Sequence, residues 1–288
     1  MGHQVHPLLS VVIPCLNVGE LLQYQLEALA KQICDSPWEV VIVDNGSTDN
    51  TVLIAERFRE KLPALMIVNE KRKGRHYACN TGVSAARGDY IVFVDGDDEV
   101  QPGFLQAMSE GLGDSAIVGG KLDHKKINEN GPASFGYVQT DHLMDGFGFL
   151  PYVAGCCLGI RKNIFQEIGG FHNKDYAEDA DLSWRLQLAG HQIRFLPEAW
   201  ISYRQRATLR HMFKQHCNFG QARVLLYREY KTHGMTRRSI QSALLEWFGL
   251  IRSAFLVRTF DQKARWVRRL GKCYGQIKGS IKYRAFFP

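Results

Sequence analysis

The 288-residue sequence lacks several features that would assign it to a familiar class. Its seven cysteines form no C-x-x-C pair, and their odd number argues against a fully paired secreted disulfide framework. The N-terminus has no Lys or Arg before its apolar run, so it does not resemble a signal peptide. No segment reaches the roughly 20 uninterrupted apolar residues that a spanning helix needs. We therefore expect a cytoplasmic protein with reduced thiols.

Two common phosphate-binding loops are also missing. Neither G-x-G-x-x-G after a strand nor G-x-x-x-x-G-K-[ST] occurs, which argues against NAD binding and against Walker-type ATP hydrolysis. What is present is an ordinary globular composition, 45% apolar and 23% charged, which excludes disorder and collagen-like repeats. The chain is long enough to bury the core of one large domain, with or without an appendage.

The charge is divided unevenly along the chain. From Arg204 to Pro288 there are 19 Lys and Arg against three acids, a net charge of +16, and the total of +7 therefore leaves residues 1–203 at −9. A basic region of this kind favours a polyanionic partner such as anionic lipid or nucleic acid, whereas the acidic body can house a metal site.

The first hundred residues alternate apolar, β-branched runs with helix-like segments. The runs are too continuously apolar for half-exposed strands and lie at 8–14, 38–44, 64–69 and 89–95. The helix-like segments lie at 19–33, from Ser47 or Thr48 to about 62, and at 75–87. This alternation predicts an α/β fold with a Rossmann-like, mostly parallel sheet and helices on both faces. Ligands then bind beyond the carboxyl ends of the strands, where Asn17, Asp44 and Asp95 fall.

The pattern is less regular after residue 100. Residues 121–150 are rich in Gly, Asp, Asn and His, which predicts an irregular acceptor-facing region or a lid. A strand is predicted at 152–162 and an amphipathic helix at 178–189. From Leu209 onward the chain predicts helices, one of them at 242–257.

Carboxylates cluster at the ends of two predicted strands. Asp95, Asp97 and Asp98 follow the fourth strand, and three acids in four residues repel one another unless a cation lies among them. Mg²⁺ and Mn²⁺ prefer such oxygen ligands, although an acidic turn capping the next helix is the alternative. Asp44 and Asn45 close the second strand, where an acid can bind a ribose or a nucleobase edge, although Asp-Asn-Gly is also common in turns.

Four motifs give the chain a resemblance to a known family. In order, they are VVIPCLN, VVIVDNGSTDNT, KGRHYACNTGVSAARGDYIVFVDGDDEVQPGFL and AEDADLSWRLQLAG. These motifs resemble the family 2 inverting glycosyltransferases, which have the nucleotide-diphosphosugar-binding fold called GT-A. The resemblance covers about residues 8–230 and implies that a sugar moves from a nucleotide-sugar donor, usually a UDP-sugar, to an acceptor hydroxyl with inversion at the anomeric carbon. We therefore expect a GT-A catalytic domain at 1–230 and a basic amphipathic helical extension at 231–288.

The resemblance also implies roles for individual residues. The donor-binding residues would be Pro14, Asn17, Asp44, Asn45, Arg75, Asn80 and Asp95. Asp95 and Asp97 would form the DxD motif that holds Mn²⁺ or Mg²⁺, and Glu178-Asp179 resembles the family's ED pair, whose Asp is the base.

Two positions depart from the family pattern. Cys79 stands where Arg or Lys is usual, so a positive charge near the nucleotide is expected from Arg75 instead. Tyr203 stands where a His is common, which leaves His211 as a substitute for the third metal ligand.

The chemistry of transfer assigns the base independently. An acceptor hydroxyl is a weak acid, and a partly buried carboxylate with a raised pKa suits the removal of its proton. Asp179 is the first candidate and Glu178 the second, while the structural alternative is that Asp179 is only the N-cap of its helix.

The basic C-terminal region interleaves Lys and Arg with Leu, Phe, Trp, Ile and Val over residues 237–284. This pattern is typical of amphipathic helices at an anionic membrane surface, and a solvated helical pair packed on the catalytic domain is the alternative. Nucleic acid is not expected, since no reader motif is present. The hypothesis is thus a peripheral membrane glycosyltransferase that extends a glycan or lipid-linked saccharide. The rival hypotheses are a nucleotidyltransferase acting on a sugar phosphate and a non-catalytic polyanion-binding module.

Overall fold

The computed structural model describes residues 7–128, 141–145, 147–174 and 176–288, and within them eight strands form one sheet. The strands are β1 Leu9–Cys15, β2 Trp38–Asp44, β3 Leu65–Asn69, β4 Tyr90–Val94, β5 Glu99–Val100, β6 Ile117–Asp123, β7 Cys157–Arg161 and β8 Ile193–Ser202. Their order in the sheet is β3-β2-β1-β4-β7-β6-β8-β5. Pairs within β3-β2-β1-β4 are parallel, as is the pair β6–β8, and β7 runs antiparallel between β4 and β6.

Helices cover both faces of this sheet. Among the described residues they are α1 Gly19–Ala30, α2 Thr51–Glu56, α3 Arg75–Ala85, α4 Phe104–Asp114, α5 Lys162–Glu167, α6 Glu178–Leu188, α7 Leu209–Tyr230, α8 Ile240–Ala254 and α9 Phe260–Lys282. The predicted α/β fold, with a mostly parallel sheet between helices, is confirmed.

Successive side chains along a buried strand point to opposite faces of the sheet. Val11 and Ile13 of β1 pack in a core with helices α1, α2 and α4. Val12, from the same strand, packs in a second core with helices α3 and α6. Because helices cover both faces of the sheet, a polar side chain on either face would be buried. This explains why the strand sequences are almost continuously apolar.

Helix α2 is shorter than predicted and has another N-cap. It begins at Thr51 after Asn50, rather than after Ser47 or Thr48, and ends at Glu56. The Ser47 hydroxyl instead accepts a hydrogen bond from the Asn17 backbone N–H (3.0 Å), and Thr48 donates its backbone N–H to Asn17 Oδ1 (2.8 Å). These groups tie the loop after β1 to the loop after β2, so they are not available as caps.

Strands β5, β6 and β8 were not predicted, and β6 falls partly in the region expected to be irregular. Gly119 and Gly120 make β6 look like a loop in sequence. The structure requires glycine at position 120, because a Cβ there would lie 2.1 Å from the Ala199 carbonyl oxygen of β8. Residues 129–140 and 146 of the predicted irregular region lie outside the described residues.

Helix α7 joins the sheet layers to the C-terminal helices. Trp184 of α6 is fully buried against Leu226 and Tyr230 of α7, and its indole N–H donates to the Leu150 carbonyl oxygen (2.8 Å). Helix α9 packs along α7 through glycines, because a Cβ on Gly275 would lie 2.1 Å from the Cys217 carbonyl oxygen. No helix within the described residues is both long enough and apolar enough to span a membrane.

Candidate active site

The functional side chains gather where the parallel strands β1, β2 and β4 end. Cys15 of β1 is level with Asp44 of β2, and Asp44 is level with Asn69 of β3. Asp95 follows the last residue of β4. Strand β7 begins beside this point, because it is antiparallel and pairs Cys157 with Val94. The register therefore brings two predicted donor-binding acids and the start of β7 to one edge.

The loops after β1 and β2 are held by their own polar side chains. Asn45 donates from Nδ2 to the carbonyl oxygens of Glu70 (2.8 Å) and Arg72 (2.7 Å), and its Oδ1 accepts from the Gly74 N–H (3.0 Å). Asn17 has a positive φ of 52° and binds the next loop as described above. Asn45 and Asn17 therefore shape the edge of the site, whichever ligand they contact.

Three more predicted donor-binding residues lie in or near this edge. Asp44 is buried and accepts hydrogen bonds from the Ser47 N–H (3.0 Å) and from Asn69 Nδ2 (3.3 Å). Pro14 is a half-buried residue of β1. Asn80 uses both ends of its amide on the Phe171 backbone, donating to the carbonyl oxygen (2.8 Å) and accepting from the N–H (3.0 Å). Asn80 thus connects α3 to the segment that precedes α6.

The three acids after β4 have different surroundings. Asp95 is partly exposed, and Asp97 accepts at Oδ2 from Arg206 Nη1 (2.8 Å). Asp98 is buried, accepts at Oδ1 from the Arg204 N–H (2.7 Å), and has no hydrogen-bond partner at Oδ2. Burial and the neighbouring Asp97 and Asp95 carboxylates raise the pKa of Asp98 well above its usual value. A buried, unpaired carboxylate oxygen beside two further acids is a suitable environment for a cation.

The group of close metal-ligating atoms in the described part of the chain is Asp95, Asp98 and Cys156, whose ligand atoms lie within 4.8 Å of one another. Burial raises the pKa of the Cys156 thiol well above its usual range, so this soft, protonated group is a poor ligand for Mg²⁺ or Mn²⁺. His211 is exposed near the start of α7 and is not in this group. The assignments of Asp97 and His211 as ligands stay predictions.

Arg75 links the acids after β4 to the acids of α6. Its Nε and Nη2 donate to Asp95 Oδ1 at 3.1 and 2.8 Å, and Nη1 lies 3.4 Å from Glu178 Oε1. Nη2 also donates to the Gly155 carbonyl oxygen (2.9 Å). One guanidinium therefore links the predicted metal-binding acid Asp95 to Glu178, which is next to the predicted general base Asp179.

Glu178 and Asp179 form the first turn of α6, and Ala177 is the N-cap residue. Asp179 is therefore not the N-cap; its Oδ2 accepts from the Gly155 N–H (3.0 Å) and its Oδ1 from the Ala180 N–H (2.8 Å). Burial raises the pKa of Asp179, although these backbone N–H groups oppose the shift. Burial raises the pKa of Glu178 to about 7, with Arg75 opposing the shift and Asp179 adding to it. Both carboxyls thus have the raised pKa that a general base requires.

Sequence reasoning missed several groups at this site. Arg204 donates from Nε to the Asp97 carbonyl oxygen (2.8 Å), and Arg206 pairs with the Asp97 carboxylate. The signal was available in the basic YRQR segment that follows β8. The backbone of Gly155 was also missed, and it contacts both Arg75 and Asp179. Nothing local in the sequence identifies that role, since it depends on β7 entering the sheet beside β4.

Two family models match the chain. Glycosyl transferase family 2 matches residues 10–169, and Glycosyl transferase family group 2 matches residues 90–267. The chain belongs to glycosyl transferase family 2. The resemblance of the sequence motifs to this family is thereby confirmed.

Curated relatives agree with the family. YibD of Escherichia coli, an uncharacterized glycosyltransferase, is 37% identical over 100 residues, which are 35% of this chain and 29% of YibD. The match therefore spans less than a third of that relative's length. ExoA of Rhizobium meliloti, a succinoglycan biosynthesis protein, is 26% identical over 247 residues, which are 81% of this chain and 74% of ExoA.

Two solved glycosyltransferase structures have a similar fold. PcManGT, a mannosyltransferase from Pyrobaculum calidifontis in complex with GDP-Man and Mn²⁺, superposes with a TM-score of 0.65 at 18% identity, covering 96% of this chain and 88% of its own. TarS from S. aureus, in complex with UDP-GlcNAc, has a TM-score of 0.54 at 18% identity, covering 97% of this chain and 93% of its own. These similarities confirm the GT-A fold.

Proposed function

We propose that this family 2 glycosyltransferase is an inverting, metal-assisted enzyme that moves a sugar from a nucleotide-sugar donor to a hydroxyl of a glycan or lipid-linked saccharide. One observation carries the proposal. Arg75 contacts both Asp95, at the donor edge of the sheet, and Glu178, next to the proposed base Asp179. An inverting transfer needs a group that stabilises the leaving diphosphate and a base that activates the acceptor. Here the Arg75 side chain links the donor edge of the sheet to the acids of α6.

The donor would lie across the carboxyl ends of β1, β2 and β4. In this proposal Asp44 contacts the base of the nucleotide, while Pro14 and Asn17 flank it. Asn45 and Asn80 hold the surrounding loops through the backbone bonds described above. The donor nucleotide is proposed to be a UDP, in line with the UDP-GlcNAc complex of TarS, although PcManGT holds GDP-Man.

A divalent cation fits the acids after β4. Asp95 and Asp97 would hold it, the unpaired Oδ2 of Asp98 offers a third carboxylate oxygen, and His211 is kept as a further candidate ligand. The carboxylates suit Mn²⁺ or Mg²⁺, and PcManGT is in complex with Mn²⁺. When bound, such an ion stabilises the charge that develops on the leaving diphosphate. Asp95 and Asp97 also pair with Arg75 and Arg206.

Asp179 is proposed as the general base. The Gly155 and Ala180 N–H groups fix the direction of its carboxylate, and burial raises its pKa. Glu178 is the second candidate, because burial raises its pKa to about 7 while its carboxylate pairs with Arg75, Nη1 lying 3.4 Å from Oε1. A proton taken from the acceptor hydroxyl would be held on Asp179 while the new glycosidic bond forms.

Helix α8 supports peripheral attachment to an anionic membrane. Five exposed apolar residues of α8 and its C-cap recur at spacings of three and four, as on one face of a helix: Ile240, Leu244, Phe248, Ile251 and Phe255. Arg252 and Arg258 lie in the same segment. Such a face can lie in the lipid interface while basic residues bind anionic headgroups. The cytoplasmic location and the division of the chain at residue 230 belong to this proposal.

The experiment that tests the function is a panel of nucleotide sugars incubated with the protein, with Mn²⁺, with Mg²⁺ or with EDTA. Release of nucleoside diphosphate from one donor, faster when a saccharide acceptor is added and absent in EDTA, is expected. The anomeric configuration of the product, read by NMR, distinguishes inversion from retention. Retention of configuration, or full transfer in EDTA, would contradict the proposed mechanism.

A further inference from the structure

A groove of about 420 Å³ lies between α7 and α9, outside the site described above. Its walls come from Phe213, Lys214 and neighbouring residues of α7, and from Tyr274 and Lys278 of α9. Tyr176 also lines the groove; it has a positive φ of 70° and stands two residues before Glu178. The groove therefore reaches the segment that leads directly to the candidate general bases Glu178 and Asp179.

The groove is positively charged. Lys214, Lys278 and Lys282 line it, and no Asp or Glu is among its described lining residues. Neither Lys214 nor Lys278 makes an ion pair within the described parts of the chain. Lysines that converge on one groove without a carboxylate repel one another, and a bound anion would relieve that repulsion.

Aromatic rings accompany the lysines. Tyr176 is 51% exposed and Tyr274 is 49% exposed, which leaves much of both rings open to a ligand. The Phe213 ring packs beside Tyr274, with 5.8 Å between the ring centroids. Exposed aromatic faces can cover the apolar C–H face of a sugar ring, and the Tyr hydroxyls can hydrogen-bond to its hydroxyl groups. A neutral sugar would contact the rings but would not pair with Lys214 or Lys278, which make no ion pair within the described residues.

We infer that this groove binds a saccharide carrying a phosphate or diphosphate group, as the acceptor of the proposed transfer. The inference rests on the proposed function for its role in catalysis. Lysine is a compact point charge that suits phosphate, whereas planar recognition of a carboxylate favours the fork of arginine. No arginine is among the described residues that line the groove. The sugar would lie on Tyr176 and Tyr274, and the phosphate among the lysines.

The test is a ligand-observed NMR titration of the whole protein in EDTA with glucose 1-phosphate, glucuronate, glucose and inorganic phosphate. EDTA removes metal-assisted phosphate binding at the acids after β4. Glucose 1-phosphate is expected to bind about tenfold tighter than the other three probes, with saturation transfer to its sugar protons. The Lys214→Gln/Lys278→Gln variant should weaken this binding about tenfold. Tyr274→Ala should reduce the saturation transfer to the sugar.

Lys263→Gln is the matched control, because Lys263 is an exposed lysine of α9 that does not line the groove. It should bind glucose 1-phosphate like the wild type. Equal binding of glucose or of glucuronate, equal binding of inorganic phosphate alone, or no effect of the double variant would each overturn the inference. The titration contains no nucleotide sugar, so its failure is separate from a failure to release nucleoside diphosphate in the donor panel.

Discussion

Asp97 and Arg206 form an ion pair at the mouth of the active site, with 2.8 Å between Oδ2 and Nη1. Asp95 is paired in the same way with Arg75. Both acids of the DxD motif are therefore balanced by arginines that come from different parts of the chain. If Asp97 holds the proposed cation, its carboxylate would bind the cation instead of, or together with, Arg206.

Asp97→Ala is expected to lower donor turnover by about two orders of magnitude or more, because the cation loses a ligand while the leaving diphosphate needs its charge stabilised. Turnover and Mn²⁺ affinity should be measured together. Asp114→Ala is the control, since Asp114 is an exposed partner of Arg194 at the opposite edge of the sheet. Unchanged Mn²⁺ affinity in Asp97→Ala would remove Asp97 from the metal site.

Asp179→Asn is expected to slow transfer by about 10² to 10⁴ with little change in donor affinity, because a general base acts on the acceptor. The amide oxygen of Asn can still accept from the Gly155 N–H, so the local structure should persist. Single-turnover rates and donor affinity should be compared with those of Glu178→Gln. Rapid transfer by Asp179→Asn, together with loss in Glu178→Gln, would assign the base to Glu178.

Glu178→Gln is expected to gain thermal stability relative to the wild type as pH rises. Burial raises the pKa of Glu178 from 4.5 to about 7, so the folded state holds its proton more tightly than the unfolded state. Ionising the buried carboxyl therefore costs stability, increasingly as pH rises from about 4.5 through about 7. Glutamine avoids this cost. The measurement is the difference in Tm between variant and wild type from pH 5 to pH 8.

The exposed Glu56 provides the control for this titration. Its hydrogen bond to Arg59 lowers its pKa, so Glu56→Gln should show a constant Tm difference over the same pH range. A pH-independent difference for Glu178→Gln would mean that the folded protein does not raise its pKa.

Gly275→Ala is expected to destabilise the protein by about 1–3 kcal/mol, because the added Cβ would lie 2.1 Å from the Cys217 carbonyl oxygen and would push α9 away from α7. The free energy of unfolding in urea measures the effect. Gly113→Ala in α4 is the matched control, since its Cβ would meet no atom within 4 Å. Equal free energies of unfolding for the two variants would show that the stability of the protein does not depend on the close packing of α9 against α7 at Gly275.

Leu244→Asp is expected to weaken binding to vesicles that contain phosphatidylglycerol, because it places a charge on the exposed apolar face of α8. Co-sedimentation at low and high salt measures the binding. Leu53→Asp on α2 is the control, since Leu53 is 65% exposed and Leu244 is 64% exposed. If both variants bind like the wild type, or if neutral vesicles bind equally well, α8 is not a membrane contact.

Local sequence determined much of the fold and the motifs of the site. Strands β1, β2 and β4 could be predicted because both their faces are buried, so each run is mostly apolar. The acids at 95–98 and at 178–179 could be identified because strand ends and helix starts are marked within a few residues. Those features depend on neighbours in the chain and not on distant contacts.

Tertiary structure alone decided how these motifs meet. Arg75 and Glu178 are 103 residues apart, and their contact exists because β7 enters the sheet beside β4 and carries Gly155 to the same edge. The start of α2 and the strand β6 were mispredicted because Ser47 and Gly120 are used in contacts with other segments. A residue's partners across the sheet depend on register and packing, which no local pattern encodes. For that reason the Asp97–Arg206 pair and the groove beside Tyr176 were found only in the structure.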